Sequence, residues 1–171
     1  MCSTPPKINI PLTKQQQKLI VLGWIIVVLN FLLVAAFYNN LNDIVPIHFT
    51  YKGEADGYGN KQTIWALPIL TLIVHTILYL VLKKTKPWNM NYPIQVTAKN
   101  APQLYRLSIH MLVQLNLLIA IMLIPIILET IILDHNLNLG FKLSSLTMFM
   151  VACITVLPFY YVFKMYKIPK E

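Results

Sequence analysis

Four uninterrupted apolar blocks, near residues 19–38, 64–82, 107–127 and 146–163, constrain this chain more than any other feature. Each approaches the ~20 residues a helix needs to cross ~30 Å of hydrocarbon. A soluble fold would have to bury four helices that are apolar all round. With 57 % hydrophobic and only 12 % charged residues in a chain of 171, too little polar surface remains to cover them. The blocks are continuous instead of alternating over about 10 residues, which argues against membrane β-strands. The sequence predicts an all-α integral membrane protein: a four-helix transmembrane bundle forming a single membrane domain over residues 1–171.

Charge sets the expected orientation, because Lys and Arg in short loops are retained on the cytoplasmic side. The N-terminal arm carries Lys7, Lys14 and Lys18. The segment 83–106 carries Lys83, Lys84, Lys86, Lys99 and Arg106, and the tail carries Lys164, Lys167 and Lys170. Together these are 11 of the 14 basic residues, so both termini and a basic loop at 83–106 are expected in the cytoplasm. The other two connections hold Lys52, Lys61 and Lys142 beside Asp43, Glu54, Asp56, Glu129 and Asp134. The net charge of +8 follows from this topology and from attraction to anionic lipid headgroups. It is spread over three segments without a binding motif, so nucleic acid is not an expected partner. The first block exceeds the usual 7–15 residues of a signal peptide and reads as an uncleaved anchor. Cys2 and Cys153 are too far apart in this arrangement to form a disulfide.

Within the basic loop, Trp88 and Tyr92 suit a lip lying on the headgroup layer. Thr97 is expected to cap a short helix that Pro102 interrupts. Pro125 is expected to kink the third span.

Residues 39–63 form the long external connection, and loops beyond about 12–15 residues tend to be functional or disordered. Order is expected here. Val45, Ile47, Phe49 and Tyr51 alternate with Pro46, His48, Thr50 and Lys52, as in a short strand, and Gly53 with Gly57 and Gly59 would supply turns. This pattern predicts a small hairpin-like external cap between the first two helices.

The series Leu41-x-Asp43-x-x-Pro46-x-His48-Phe49, then Gly53, Asp56, Tyr58, Gly59 and Lys61, with Pro68 opening the next span, resembles a bacterial membrane family, domain of unknown function 1648. The resemblance covers roughly residues 25–80. That domain also forms the N-terminal part of Sdp-type toxin-immunity membrane proteins, so the resemblance implies a bacterial plasma-membrane location and an immunity-like role. Leu41-Asn42 stands where the family usually has Leu-Pro, and the immunity proteins continue into further spans.

His48, Glu54, Asp56 and Lys61 are the candidate ligand-binding residues of the cap. A histidine, carboxylates and a lysine can hold a peptide, toxin or headgroup through charge-assisted hydrogen bonds. Equally, Asp56 could pair with Lys61, and His48 could fix the hairpin through its backbone. A metal is not expected, because the spacing lacks a dense ligand set. Glu129, Asp134 and His135 are either additions to this site or a solvated helix end.

Polar residues inside the spans form a second set. At 1.5 Å per residue, His75 and Gln114 each lie about 12 Å from the inner edge, and Tyr79 and His110 each about 6 Å. Thr71, His75 and Tyr79 share one helix face, as do Arg106, His110 and Gln114, which predicts a polar seam between the second and third spans. Asn30 and Asn116 fall near mid-membrane. Interhelical glue and a proton or substrate path are the two readings of these residues. No metalloprotease, nucleophile-elbow, P-loop or dinucleotide motif is present. The chain therefore reads as a non-enzymatic membrane protein without cofactor, recognising a peptide, toxin or envelope component. A small transporter or accessory subunit is the alternative.

Overall fold

The computed structural model describes residues 4–50, 52, 54–135 and 143–169. Cys2, Tyr51, Gly53, Lys142 and Lys170 lie outside the described residues. Helix α1 spans Lys14–Phe37, strands β1 and β2 span Ile44–Phe49 and Ala55–Asn60, and α2 spans Ala66–Lys84. Helices α3, Ala101–Asp134, and α4, Leu143–Tyr166, complete the chain. All four helices are long and apolar enough to cross a bilayer, and a two-stranded antiparallel sheet lies between the first two. The molecule is a helical multipass membrane protein with a hairpin at one end of the bundle.

Local chemistry explains why the helices outrun their apolar blocks. Helix α1 begins five residues before the block at 19–38, because Thr13 and Gln16 form a capping box. The Gln16 N–H donates to Thr13 Oγ1 at 3.2 Å and the Thr13 N–H to Gln16 Oε1 at 2.8 Å. Before α3, Thr97 and Asn100 exchange an equivalent pair of bonds, at 2.8 and 3.3 Å. Pro102 does not interrupt the third helix. It sits in the first turn of α3, where its missing N–H would have had no intrahelical partner. Helix α3 continues through Pro125 to Asp134; its 34 residues, about 51 Å at the standard rise, exceed the hydrocarbon thickness.

Helix α3 is the hub. It packs against α1, α2 and α4, and α1 also packs on α2. One apolar cluster at the hairpin end joins Val34, Leu41, Val45, Ile64, Ile127 and Ile131. A middle cluster joins Ile26, Val27 and Ala120. The third, at the basic end, joins Ile94, Val96, Leu104, Tyr105 and Met165. Away from α3 the helices stay apolar yet exposed: Phe149 and Phe159 on α4 are 64 % and 70 % accessible. Such faces suit acyl chains, which are as apolar as leucine.

Segment 85–100 is a packed base, more than a lip on headgroups. Ile8, Ile10, Trp88 and Tyr92 pack against the basic-end cluster, and Tyr105 donates its hydroxyl to the Pro6 carbonyl at 2.8 Å. Tyr92 donates to the Pro87 carbonyl at 2.9 Å and lies 3.1 Å from Ser108 Oγ. Burial raises the Tyr92 phenol above its ordinary pKa, opposed by the Ser108 hydrogen bond, so it persists as a neutral donor.

In the hairpin, Pro46 pairs with Tyr58, His48 with Gly57 and Phe49 with Ala55. Ile47 and Asp56 are therefore each an extra residue on their strand, forming two offsetting bulges. The strict alternation expected from Val45 onward breaks at Ile47: Val45 and Pro46 are both buried, and Ile47 is exposed. Gly57 and Gly59 are not turn residues either. They lie in β2, where an added Cβ would stand 2.9 Å from His48 Cβ and 2.8 Å from Ile47 Cδ1. Close cross-strand approach is what requires glycine there.

Candidate functional site

The hairpin is fastened at its base by polar groups, among them Lys61, which the sequence offers as a ligand contact. Lys61 Nζ lies 3.0 Å from Asp43 Oδ1 and 3.4 Å from the Leu41 carbonyl, with its ammonium 5.7 Å from the centre of the Tyr38 ring. The Lys61 N–H donates to the Asp43 carbonyl at 2.9 Å. The paired partner of Lys61 is thus Asp43, not Asp56, and its side chain is occupied in holding the two ends of the hairpin together. Asp134, at the C-terminus of α3, accepts from the Asn42 N–H and from Asn42 Nδ2, both at 3.0 Å. Two charge-assisted bonds hold this nearly buried carboxylate against the adverse end of the helix dipole.

Asp56, exposed in the regular alternation of β2, pairs with His48 Nδ1 at 2.5 Å on the outer side of the hairpin. At the far end, the Thr50 N–H donates to the Glu54 carbonyl at 2.9 Å and the Glu54 N–H to Thr50 Oγ1 at 3.2 Å. His48 also stands on the rim of a cleft of about 420 Å³ between β1 and the helices. Ile47, Phe49, Leu67, Ile126 and Met148 make its walls apolar; besides His48, its polar groups are Thr50, Glu129, Ser144 and Thr147. Glu129 is 6 % exposed, and neither its Oε2 nor Ser144 Oγ has a hydrogen-bond partner among the described residues. The cleft therefore combines an apolar body with one buried acid at its side. The sequence leaves Glu129 undecided between a site and a helix end; its continuous apolar surroundings at 119–128 are the available signal.

The pairing of His75 with Gln114 expected across α2 and α3 is not made. His75 and Gln114 face different neighbours. His75 is fully buried against α1, its ring 4.6 Å from that of Trp24 in an edge-on contact and pressed onto Gly23, whose Cβ would stand 2.5 Å from His75 Cε1. Tyr79 meets the same Trp24 at 5.7 Å and carries Lys83 over its face. Asn30 links α1 to α3 by donating to the Ile26 carbonyl at 2.9 Å and the Ala120 carbonyl at 3.2 Å. Asn116 is buried with neither side-chain atom hydrogen-bonded among the described residues, and the His75 ring faces the Asn116 backbone of α3 without a well-aligned hydrogen bond. The junction of α1, α2 and α3 is thus polar midway along the spans.

Gln114 turns instead to α4, where Tyr161 donates its hydroxyl to Gln114 Oε1 at 2.9 Å. With Arg106 and His110 it lines a groove of about 510 Å³ between α3 and α4 at the basic end. The shared face predicted for Arg106, His110 and Gln114 exists, but it meets α4, not α2. Depth arithmetic places residues along the membrane normal and says nothing about rotation around the helix axis.

Among the described residues, no three His, Cys, Asp or Glu side chains gather into a metal-binding group. No curated protein and no solved structure matches the chain. Residues 25–72, running from α1 through the hairpin into α2, match the model of the family described as Domain of unknown function (DUF1648).

Proposed function

We propose that this is a non-enzymatic recognition protein of a bacterial plasma membrane, with both termini in the cytoplasm and the hairpin outside. Its ligand is a cationic amphipathic molecule, such as a peptide toxin or envelope component, and immunity-like protection is the specific form. The observation that carries the reading is Glu129, an acid buried in an apolar cleft with an unpartnered oxygen. A carboxyl oxygen left without a partner in such surroundings is costly until a donor pairs with it. An ammonium on an apolar ligand supplies that pairing, and His48 on the rim offers a further contact. The acidic residues favour the same sign of ligand, since five of the six lie in or beside the hairpin-end connections.

The test uses a strain lacking the gene, complemented with wild type or Glu129→Gln and challenged with cationic amphipathic peptides. Protection by wild type, lost in Glu129→Gln at equal membrane abundance, supports recognition in the cleft. Equal protection by both, or none from wild type, ends the reading. A small transporter or accessory subunit is the second reading, supported by the unpartnered side-chain atoms of Asn116 beside the buried His75. Uptake of a hydrophilic solute that His75→Leu abolishes, with the protein still folded, would favour it.

A further inference from the structure

The groove between α3 and α4 lies at the opposite end from the hairpin and is independent of whatever the hairpin cleft binds. Arg106, exposed near the start of α3, and Lys164, in the last turn of α4, both line it. His110 and Gln114 follow Arg106 at four-residue steps along the same face of α3, leading deeper between the helices. The Tyr161–Gln114 hydrogen bond closes this deeper part, and no described residue accepts from Gln114 Nε2. Leu107 and Ile168 supply apolar wall. Neither Arg106 nor Lys164 has an acidic partner among the described residues. Lys164 is held over the Tyr160 ring at 4.5 Å, a contact that leaves its charge uncompensated.

We propose that this groove is a binding site for the phosphate headgroup of an anionic membrane lipid. Arg106 and Lys164 would hold the phosphate, the first as a two-pronged donor and the second as a point charge. His110 and the Gln114 amide would reach the glycerol or headgroup oxygens. The groove volume suits a small polar group. A lipid fits better than a free anion for two reasons. The cations stand at the ends of spanning helices, at the level of headgroups, and Leu107 and Ile168 give the lipid's apolar portion a surface that inorganic phosphate could not use. Basic pockets between helix ends recognise lipid headgroups by this chemistry. Lys83 and Lys84, at the end of α2, do not line the groove and provide an internal control.

The test compares wild type, Arg106→Gln/Lys164→Gln and Lys83→Gln/Lys84→Gln, each purified in neutral detergent and titrated with phosphatidylglycerol, phosphatidylcholine or sodium phosphate. Lipid retention is read by native mass spectrometry and thermal stability by light scattering. Wild type and the α2 variant should retain phosphatidylglycerol over phosphatidylcholine and gain stability from it. The groove variant should bind it about tenfold or more weakly, given roughly 1 kcal/mol for each basic residue near anionic lipid, while melting normally without lipid. Equal losses in both variants would reduce the effect to general surface charge and overturn the site. An equal stability gain from sodium phosphate would overturn the lipid assignment, as would retention of phosphatidylcholine as strong as that of phosphatidylglycerol.

Discussion

Gly23 and His75 show how a residue's role can depend on a neighbour far away in sequence. The imidazole occupies the space a Cβ at position 23 would need, so Gly23→Ala must displace a ring already wedged against Trp24. Overpacking of this kind costs about 1–3 kcal/mol. Gly23→Ala should lower the melting temperature in detergent, and adding His75→Ala should recover part of the loss; a strictly additive double variant would show that the two do not touch. In the hairpin, Gly57→Ala should be the more damaging change, because it meets His48 Cβ close to the backbone. Gly59→Ala clashes closely with just Cδ1 of exposed Ile47, whose side chain can turn away. The polar pairs differ in the same way. Tyr161→Phe and Gln114→Leu should be coupled in a double-mutant cycle by roughly 0.6 kcal/mol, whereas His75→Leu and Gln114→Leu should be additive. Coupling between His75 and Gln114 would restore the seam expected between α2 and α3.

The hairpin is an element too small to be stable by itself, since an isolated two-stranded hairpin is marginal in water. Its order comes from docking: Val45 enters the apolar cluster of Val34, Ile64, Ile127 and Ile131, while Lys61 and Asp134 fasten its base. Asp134→Ala strands the Asn42 donors and should speed hydrogen exchange in residues 44–49 and 55–60, leaving the protection of α1 and α2 unchanged. Lys61→Gln should act in the same direction more weakly, because Asp43 is largely exposed and such pairs contribute under about 1 kcal/mol. Asp56→Asn, which alters only the outward pair with His48, should leave exchange as in wild type. Faster exchange in Asp56→Asn than in Asp134→Ala would place the fastening at the bulge instead of the base.

At the scale of the whole molecule, the hairpin and the basic base lie at opposite ends of the bundle, so one labelling experiment tests the proposed orientation. In a background with Cys2→Ser and Cys153→Ser, Tyr58→Cys should react with a membrane-impermeant thiol reagent in intact cells. Asn89→Cys should react only after permeabilisation. The reverse pattern would invert the protein and move the hairpin cleft to the cytoplasm.

What the sequence determined by itself was whatever depends on hydration alone. Four apolar blocks specify four membrane helices, because a backbone in hydrocarbon must satisfy its own hydrogen bonds whatever its neighbours are. The hairpin's existence was legible for a similar local reason, and the Thr13 to Gln16 spacing carried the start of α1 as a capping box that hydropathy alone overlooked. Tertiary structure decided which surfaces meet. A span that is apolar nearly all round carries little record of the direction its few polar side chains face, so Gln114 could be assigned a depth but not its partner Tyr161. The bulge at Ile47 broke the alternation of β1, and the length of β2 sets Asp56 beside His48, away from Lys61 at the hairpin base. Glu129 acquired its significance only when β1, α2 and α4 enclosed it, because burial of a carboxylate arises from packing between elements distant along the chain.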